Sequence, residues 1–117
     1  MHRGLALAGL AALLALAWTG GGSVAQDRAA GAPADAARIA RGKDLFANSG
    51  CGGCHTLAAA DATGRVGPAL DGDANLSEAL VIDRVTNGSG PMPAFSGQMS
   101  NDEIAAVAAY VVHSAAK

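Results

Sequence analysis

Cys51-Gly52-Gly53-Cys54-His55 is the stretch that decides the fold of this 117-residue chain. Two thiols separated by two residues and followed at once by an imidazole form the C-x-x-C-H pattern of covalent c-type haem attachment. Each thiol can add across one haem vinyl group to form a thioether, and the adjacent imidazole can bind the iron. Because Cys51 and His55 stand four residues apart, one helical turn places both on the same side. The stretch therefore predicts a haem site.

The two cysteines are also open to other interpretations. A structural zinc site usually takes four Cys or His ligands, and beyond residue 25 the chain offers only Cys51, Cys54, His55 and a distant His113. A thioredoxin-like dithiol needs a βαβ setting, and no alternating strand pattern surrounds this one. Because the cysteine count by itself also allows a disulfide, a second motif has to decide.

That second motif is a methionine held between two prolines, in Gly90-Pro91-Met92-Pro93-Ala94-Phe95. The prolines fix their own φ angles, and Pro93 pushes Met92 into extended backbone. A thioether on such a stiff loop is a candidate sixth iron ligand, which in cytochromes c raises the reduction potential. A lone methionine is more often a core residue, and Met99 is explained as a contact to Ile104 at the start of the last helix.

With these motifs the chain resembles the class I c-type cytochromes, in particular the small monohaem electron carriers of the bacterial periplasm. The resemblance covers most of the chain after residue 25. It implies an all-α small cytochrome c fold, with three to four short helices wrapped around one covalent haem c. It also implies that the N- and C-terminal helices cross.

The same resemblance assigns residues in the loop Gly64-Arg65-Val66-Gly67-Pro68-Ala69-Leu70. The carbonyl of Pro68 is expected to accept the second N–H of His55, since ligating imidazoles usually donate their other nitrogen; a plain turn is the alternative. Leu70 is expected to pack on the haem, and Phe95 to cover the haem on the methionine side. Arg65 stays open between a haem propionate and solvent.

The first helix carries the expected crossing point. It is predicted to begin at Asp35, a candidate N-cap, and Ile39, Gly42 and Phe46 then share one face. Glycine inside a helix costs roughly 1 kcal/mol relative to alanine, so a close backbone contact has to favour it. The resemblance places Tyr110 of the last helix against this face.

Two later helices have clear capping residues. Ser77 is the predicted N-cap of a helix that ends at Asn87-Gly88, and Ser100 with Glu103 forms a capping box for the last helix. His113 falls on the side of that helix opposite the apolar stripe. We therefore predict that it is a solvated histidine and not a ligand.

Residues 1–25 indicate a secretory signal. Met1-His2-Arg3 is basic, residues 4–18 form an uncharged Leu/Ala run, and cleavage is expected after Ala25. The run is shorter than the ~20 residues of a spanning helix, and an uncleaved membrane anchor is the alternative. Residues 26–34 are predicted to be a flexible tether to a cytochrome c domain at residues 35–117. These features predict an exported, periplasmic protein, or a membrane-anchored one if the leader is retained.

Composition limits the possible partners and the possible core. The formal net charge is −2 with no basic run, which argues against nucleic acid as partner. Alanine dominates the apolar residues, so a haem is needed to supply apolar bulk, and the haem-free chain is expected to fold poorly. Asp61, Asp71 and Asp73 are interpreted as solvated loop acids and not as catalytic carboxylates.

The predicted function is one-electron transfer between periplasmic or membrane redox proteins through a His/Met-ligated haem. Both axial positions would be filled by protein, so no small-molecule substrate and no enzymatic activity are expected. The chain is expected to be a monomer that forms transient complexes, and with few lysines its docking is predicted to depend weakly on salt. The alternatives are a haem enzyme or ligand sensor with a labile methionine, and a membrane-tethered subunit of a redox complex.

Overall fold

Three α-helices account for most of the chain that the computed structural model describes, residues 24–117, with side chains from residue 35 onward. The helices are α1 (Val24–Asn48), α2 (Glu78–Asn87) and α3 (Asn101–Ser114). Between α1 and α2 along the chain lie two short strands, β1 (Thr56–Leu57) and β2 (Ala62–Thr63), which pair with each other in antiparallel orientation. The all-α prediction is confirmed, and the strand pair escaped it because two residues are too few to show an alternating pattern.

The two terminal helices cross at a glycine. A Cβ atom added to Gly42 would lie 2.8 Å from the Cβ of Tyr110 and closer still to the carbonyl oxygen of Ala106. The backbones of α1 and α3 therefore touch where only glycine fits. Tyr110 packs edge-on against Phe46, with the ring centroids 5.7 Å apart. The predicted packing of Tyr110 against Gly42 and Phe46 is confirmed.

The start of the first helix differs from the prediction. Residues 26–34, expected to be an irregular tether, are helical, and Asp35 is an interior helical position and not an N-cap. Extending an existing helix adds one hydrogen bond per residue, whereas starting a new one is costly. The helix that packs at Gly42 therefore continues towards the N-terminus through an alanine-rich stretch of high propensity. Gly31 and Pro33, two helix breakers, do not end it.

Both later helices begin at the predicted caps. The Oγ of Ser77 accepts the backbone N–H of Leu80 at 3.2 Å. The Oγ of Ser100 accepts the N–H of Glu103 at 3.2 Å, and the Glu103 carboxylate accepts the N–H of Ser100 at 3.0 Å. Glu103 also pairs with Arg41 of α1 at 2.6 Å, so the capping box is tied to the first helix.

The core lies between α3 and the elements that cover it, and it is built from few large side chains. Among the side chains described, the largest fully buried ones are Leu57 of β1 and Ile104 and Val107 of α3. Val81 and Val85 of α2 are also buried in this cluster. A core of this size buries little apolar surface. A large apolar cofactor would add to it.

His113 is exposed, as predicted. Within residues 24–117, none of the helices combines the length and the apolarity needed to cross a membrane. The predicted signal lies outside the described residues apart from Val24 and Ala25, the first two residues of α1.

Candidate functional site

The Cys51–His55 segment is wound around one carbonyl oxygen. Residues Cys51–Gly53 form a 3₁₀ helix, and the Cys51 carbonyl accepts the backbone N–H of Cys54 at 3.2 Å and of His55 at 3.0 Å. Gly50 enters the turn with φ 76°, in the left-handed region that favours glycine. The turn holds two thiols and an imidazole on one short segment, as their spacing predicts.

The two thiols lie in different environments. Both are free; Cys51 is half-buried and Cys54 is exposed. Burial raises the pKa of the Cys51 thiol, and the neighbouring Cys54 adds to the increase. Among the side chains from residue 35 onward, no three or more His, Cys, Asp or Glu residues converge on a common point where they could hold an ion, so the zinc interpretation gains no support.

The two glycines between the cysteines have different roles. A Cβ at Gly52 would lie 2.9 Å from the Cβ of Ala62 and 3.7 Å from the ring of Phe46. A Cβ at Gly53 would have no heavy atom within 4 Å. Gly52 is therefore small because β2 packs against it. Gly53 is exposed, and a side chain there would meet no neighbouring residue.

His55 is held by the loop that follows β2. Its Nδ1 lies 2.7 Å from the carbonyl oxygen of Pro68, the hydrogen bond that was expected. A Cβ at Gly67 would lie 2.8 Å from this same Nδ1 and closer to the neighbouring ring carbon. The backbone of Gly67 therefore packs against the imidazole. With Nδ1 engaged as the donor, Nε2 is the nitrogen available to a metal.

The ligand loop, residues 64–72, is fastened to the segment that carries His55. Thr56 donates its hydroxyl to the carbonyl of Gly64 at 2.8 Å and accepts the N–H of Leu70 on its own carbonyl at 2.9 Å. The N–H of Gly67 donates to the carbonyl of Cys54 at 2.8 Å. Leu70 is half-buried and packs against the core cluster. The loop therefore presents Pro68 and Leu70 as a unit.

The methionine loop, residues 88–99, is stiffened by its own backbone. Ser89 and Met92 exchange two hydrogen bonds of 3.0 Å in an isolated antiparallel bridge, which agrees with the extended backbone expected before Pro93. Phe95 donates its N–H to the carbonyl of Val85 at 2.8 Å and so ties the loop to α2. Met92 and Phe95 are half-buried against the core cluster, whereas Met99 belongs to the cluster itself.

Sequence reasoning missed a structural role of Asp71. The predicted solvated acid accepts the N–H of Ala58 on Oδ2 and the N–H of Ala116 on Oδ1, each at 2.8 Å. These hydrogen bonds lower the pKa of Asp71, with the one from Ala116 the larger cause. No local signal could have revealed this role, because both partners are remote in sequence and donate through the backbone. Arg65, by contrast, is exposed.

The side chains present fit a covalent haem c. Two free thiols are in the correct order for thioether formation, and the following imidazole offers Nε2 because Pro68 engages its other nitrogen. A half-buried thioether on a stiff loop completes the set of soft donors that suits haem iron. The structure brings His55 and Pro68 into contact and gathers the side chains of Leu70, Met92 and Phe95 around one apolar cluster.

Comparison with known proteins identifies similar chains of one kind. Residues 37–111 match the family model described as cytochrome C oxidase, cbb3-type, subunit III. A cytochrome c6 of Picosynechococcus sp. is 40% identical over 96 residues, which cover 73% of this chain and 80% of that protein. A cytochrome c6 of Tetradesmus obliquus is 44% identical over 82 residues, covering 64% of this chain and 89% of that protein.

A solved structure agrees with these sequence matches. The c-type cytochrome SorU from Sinorhizobium meliloti superimposes with a TM-score of 0.62 at 43% sequence identity. The match covers 68% of this chain and 93% of that chain. Sequence and fold therefore point to the same group of proteins.

Proposed function

Since the chain belongs to the class I c-type cytochromes and carries a covalently bound haem c, we propose that Cys51 and Cys54 attach this haem and that His55 and Met92 bind its iron. The family's function is electron transfer, and the haem supplies a reversible one-electron couple. The observation that carries the residue assignment is the 2.7 Å contact between Nδ1 of His55 and the Pro68 carbonyl. That contact leaves Nε2 free on a histidine that directly follows two free thiols.

The chain's own part in electron transfer is to hold the ligands still. Pro68 and Gly67 fix the orientation of the His55 imidazole, and the Ser89–Met92 bridge restrains the thioether. A rigid site changes little between oxidation states, which keeps electron transfer fast. If His55 and Met92 both bind the iron, a substrate would find no open coordination site. This supports a carrier and not an enzyme.

Redox proteins are the proposed partners, and the docking surface is proposed to be mainly apolar. Val66, in the ligand loop, is 66% exposed and directly precedes the glycine that packs on His55. Beyond residue 25 the only lysines are Lys43 and Lys117, so steering by charge is weak. We expect the bimolecular rate with a redox partner to change little with ionic strength. A fall of several decades would contradict this docking mode.

For location and domain limits, we propose an exported protein with a cleaved leader at residues 1–25 and a cytochrome domain at residues 35–117, acting as a monomer in the periplasm. A second candidate is a subunit of a redox complex that stays tethered by its leader, which the description of the matching family model favours. The mass of the protein isolated from its native host distinguishes the two, since cleavage removes the leader.

The test of the ligand assignment uses protein matured in an export-competent host. We expect the mass of the polypeptide plus one haem, a weak absorption band of the ferric form near the red end, and a ferrous form that does not bind carbon monoxide. A colourless protein with the mass of the bare polypeptide would refute haem attachment. Binding of carbon monoxide by the wild-type ferrous form would favour the alternative of a ligand sensor or peroxidase-like enzyme with a labile methionine.

A further inference from the structure

Asp71 joins three segments that are distant in sequence. Its Oδ2 accepts the N–H of Ala58, directly after β1, and its Oδ1 accepts the N–H of Ala116, in the segment after α3. The next residue, Gly72, donates its own N–H to the Ala116 carbonyl at 2.8 Å. One carboxylate and one amide therefore close the ligand loop onto the segment that follows the last helix.

The contacts of Asp71 and Gly72 differ from the other hydrogen bonds of the ligand loop, which all lead back to the segment around His55. Within the ligand loop, the N–H of Gly67, the carbonyl of Pro68 and the N–H of Leu70 bond to residues 54–56, the segment that itself carries the imidazole. Such bonds cannot anchor the loop to the rest of the fold, because both sides of each bond belong to the site. Asp71 and Gly72 add hydrogen bonds that anchor the loop to the segment after α3, beside the packing of Leu70 against the core cluster.

We propose that Asp71 is a positioning residue for the His55–Pro68 hydrogen bond, with the N–H of Ala116 as its remote partner. The proposal rests on the ligation of iron by His55 proposed above. A hydrogen bond at the second ring nitrogen sets the orientation and basicity of a ligating imidazole. Releasing the loop from the segment after α3 should therefore change the orientation and basicity of the His55 imidazole, in addition to any change in the stability of the protein.

The nearby Asp73 offers a matched comparison. Its Oδ1 accepts the N–H of Asn75, two residues further along, at 2.8 Å. It closes a local turn and reaches no other segment through this bond. Removing its charge should therefore leave the imidazole unaffected, although it lies only two residues from Asp71.

The experiment measures solvent exchange of the His55 Nδ1–H by NMR in the ferrous holoprotein. Two variants break the anchor from opposite sides: Asp71→Asn removes the charged acceptor, and Ala116→Pro removes the donor. Proline is compatible with the preceding Ala115, which has φ −63° and ψ 130°. Asp73→Asn and Ala116→Gly are the controls, since the second keeps the N–H.

We expect each test variant to speed exchange about tenfold. The double variant should add little, because both changes act on the hydrogen bond between Asp71 and the Ala116 N–H. The reduction potentials of the two test variants should also shift in the same direction. Unchanged exchange in both, with a lowered unfolding midpoint, would reduce Asp71 to a purely structural role and overturn the proposal. If Asp71→Asn yields no holoprotein, Ala116→Pro decides alone.

This outcome is separable from failure of the proposed function. If His55 does not ligate the iron, the wild-type protein itself lacks the His/Met spectrum, whatever the variants do. If the wild-type spectrum is that of a His/Met haem and exchange is insensitive to both substitutions, only the role of Asp71 is refuted.

Discussion

Nδ1 of His55 lies 2.7 Å from the carbonyl oxygen of Pro68, so the ligand loop engages this ring nitrogen and leaves Nε2 as the one that could bind iron. The backbone of Gly67 packs on the same ring. The imidazole is therefore held by two neighbouring residues of one loop, and its freedom to rotate is small.

Gly67→Ala should displace that imidazole. The added Cβ would lie 2.8 Å from Nδ1, and overpacking of this kind typically costs about 1–3 kcal/mol in the free energy of unfolding. Denaturant unfolding of the holoprotein measures the loss. Gly97→Ala is the control, since its Cβ meets no heavy atom within 4 Å and should change stability by less than about 0.5 kcal/mol. Equal losses of stability in the two variants would show that glycine is not required at position 67 for the loop to pack against the His55 ring.

Met92→Ala should remove an iron ligand. The weak ferric band near the red end should disappear, the ferrous form should bind carbon monoxide, and the reduction potential should fall, because a thioether ligand raises it. Spectra and a redox titration measure these changes. Met99→Leu is the matched control: Met99 is 8% exposed in the core, and this substitution should leave the spectrum intact. Loss of the band in Met99→Leu instead would reverse the assignment of the two methionines.

Gly42→Ala should destabilise the helix crossing even though alanine is the better helix former. The Cβ would lie 2.8 Å from that of Tyr110 and would also meet the Ala106 carbonyl, at an expected cost of about 1–3 kcal/mol. Thermal unfolding measures it. Ala40→Gly, at an exposed position of the same helix, calibrates the intrinsic preference, which is roughly 1 kcal/mol in favour of alanine. A more stable Gly42→Ala variant would mean that the helices do not touch there.

Glu103 should make the protein sensitive to acid. The Ser100 N–H, and after it the Arg41 guanidinium, lower the pKa of this carboxyl in the folded state. Its contribution to stability is therefore fully present above the ordinary Glu pKa of about 4.3 and is lost as the pH falls through the lower folded value. Glu103→Gln should lower the unfolding midpoint at pH 6 and flatten its decline below pH ~4. Asp102→Asn, at the exposed neighbouring position, should affect the decline of the unfolding midpoint with falling pH less. An identical decline in both variants would contradict the role of Glu103.

Protein lacking the haem should lose its cooperative unfolding. Apart from Phe46, Tyr110 and Met99, the buried apolar side chains among those described are no larger than Leu57 and Ile104, a small core for a domain of this length. Cys51→Ala/Cys54→Ala protein, which cannot form thioethers, can be compared with the holoprotein by calorimetry and by NMR dispersion. A sharp thermal transition and well-dispersed amide signals in the double variant would show that the polypeptide folds by itself.

Local patterns in the sequence were sufficient to predict most of the elements, and the proposed assignment of the site residues rests on such patterns too. The spacing of Cys51, Cys54 and His55 fixes which atoms a haem can use, and the prolines around Met92 fix a stiff loop through their own covalent geometry. Ser77 and Ser100 cap helices through bonds to residues three positions away. Each of these signals is contained in a few consecutive residues, so no tertiary information is needed to read it.

The tertiary structure decided what depends on contacts between remote segments. The helix at residues 26–34 continues from a packed one, against the local signal of Gly31 and Pro33. Gly52 is small because Ala62 packs on it, and Asp71 binds the backbone of Ala58 and Ala116, whose amides carry no sequence signature. Residue type alone determines which side chains can bond, whereas the fold determines which backbone groups come within reach of them.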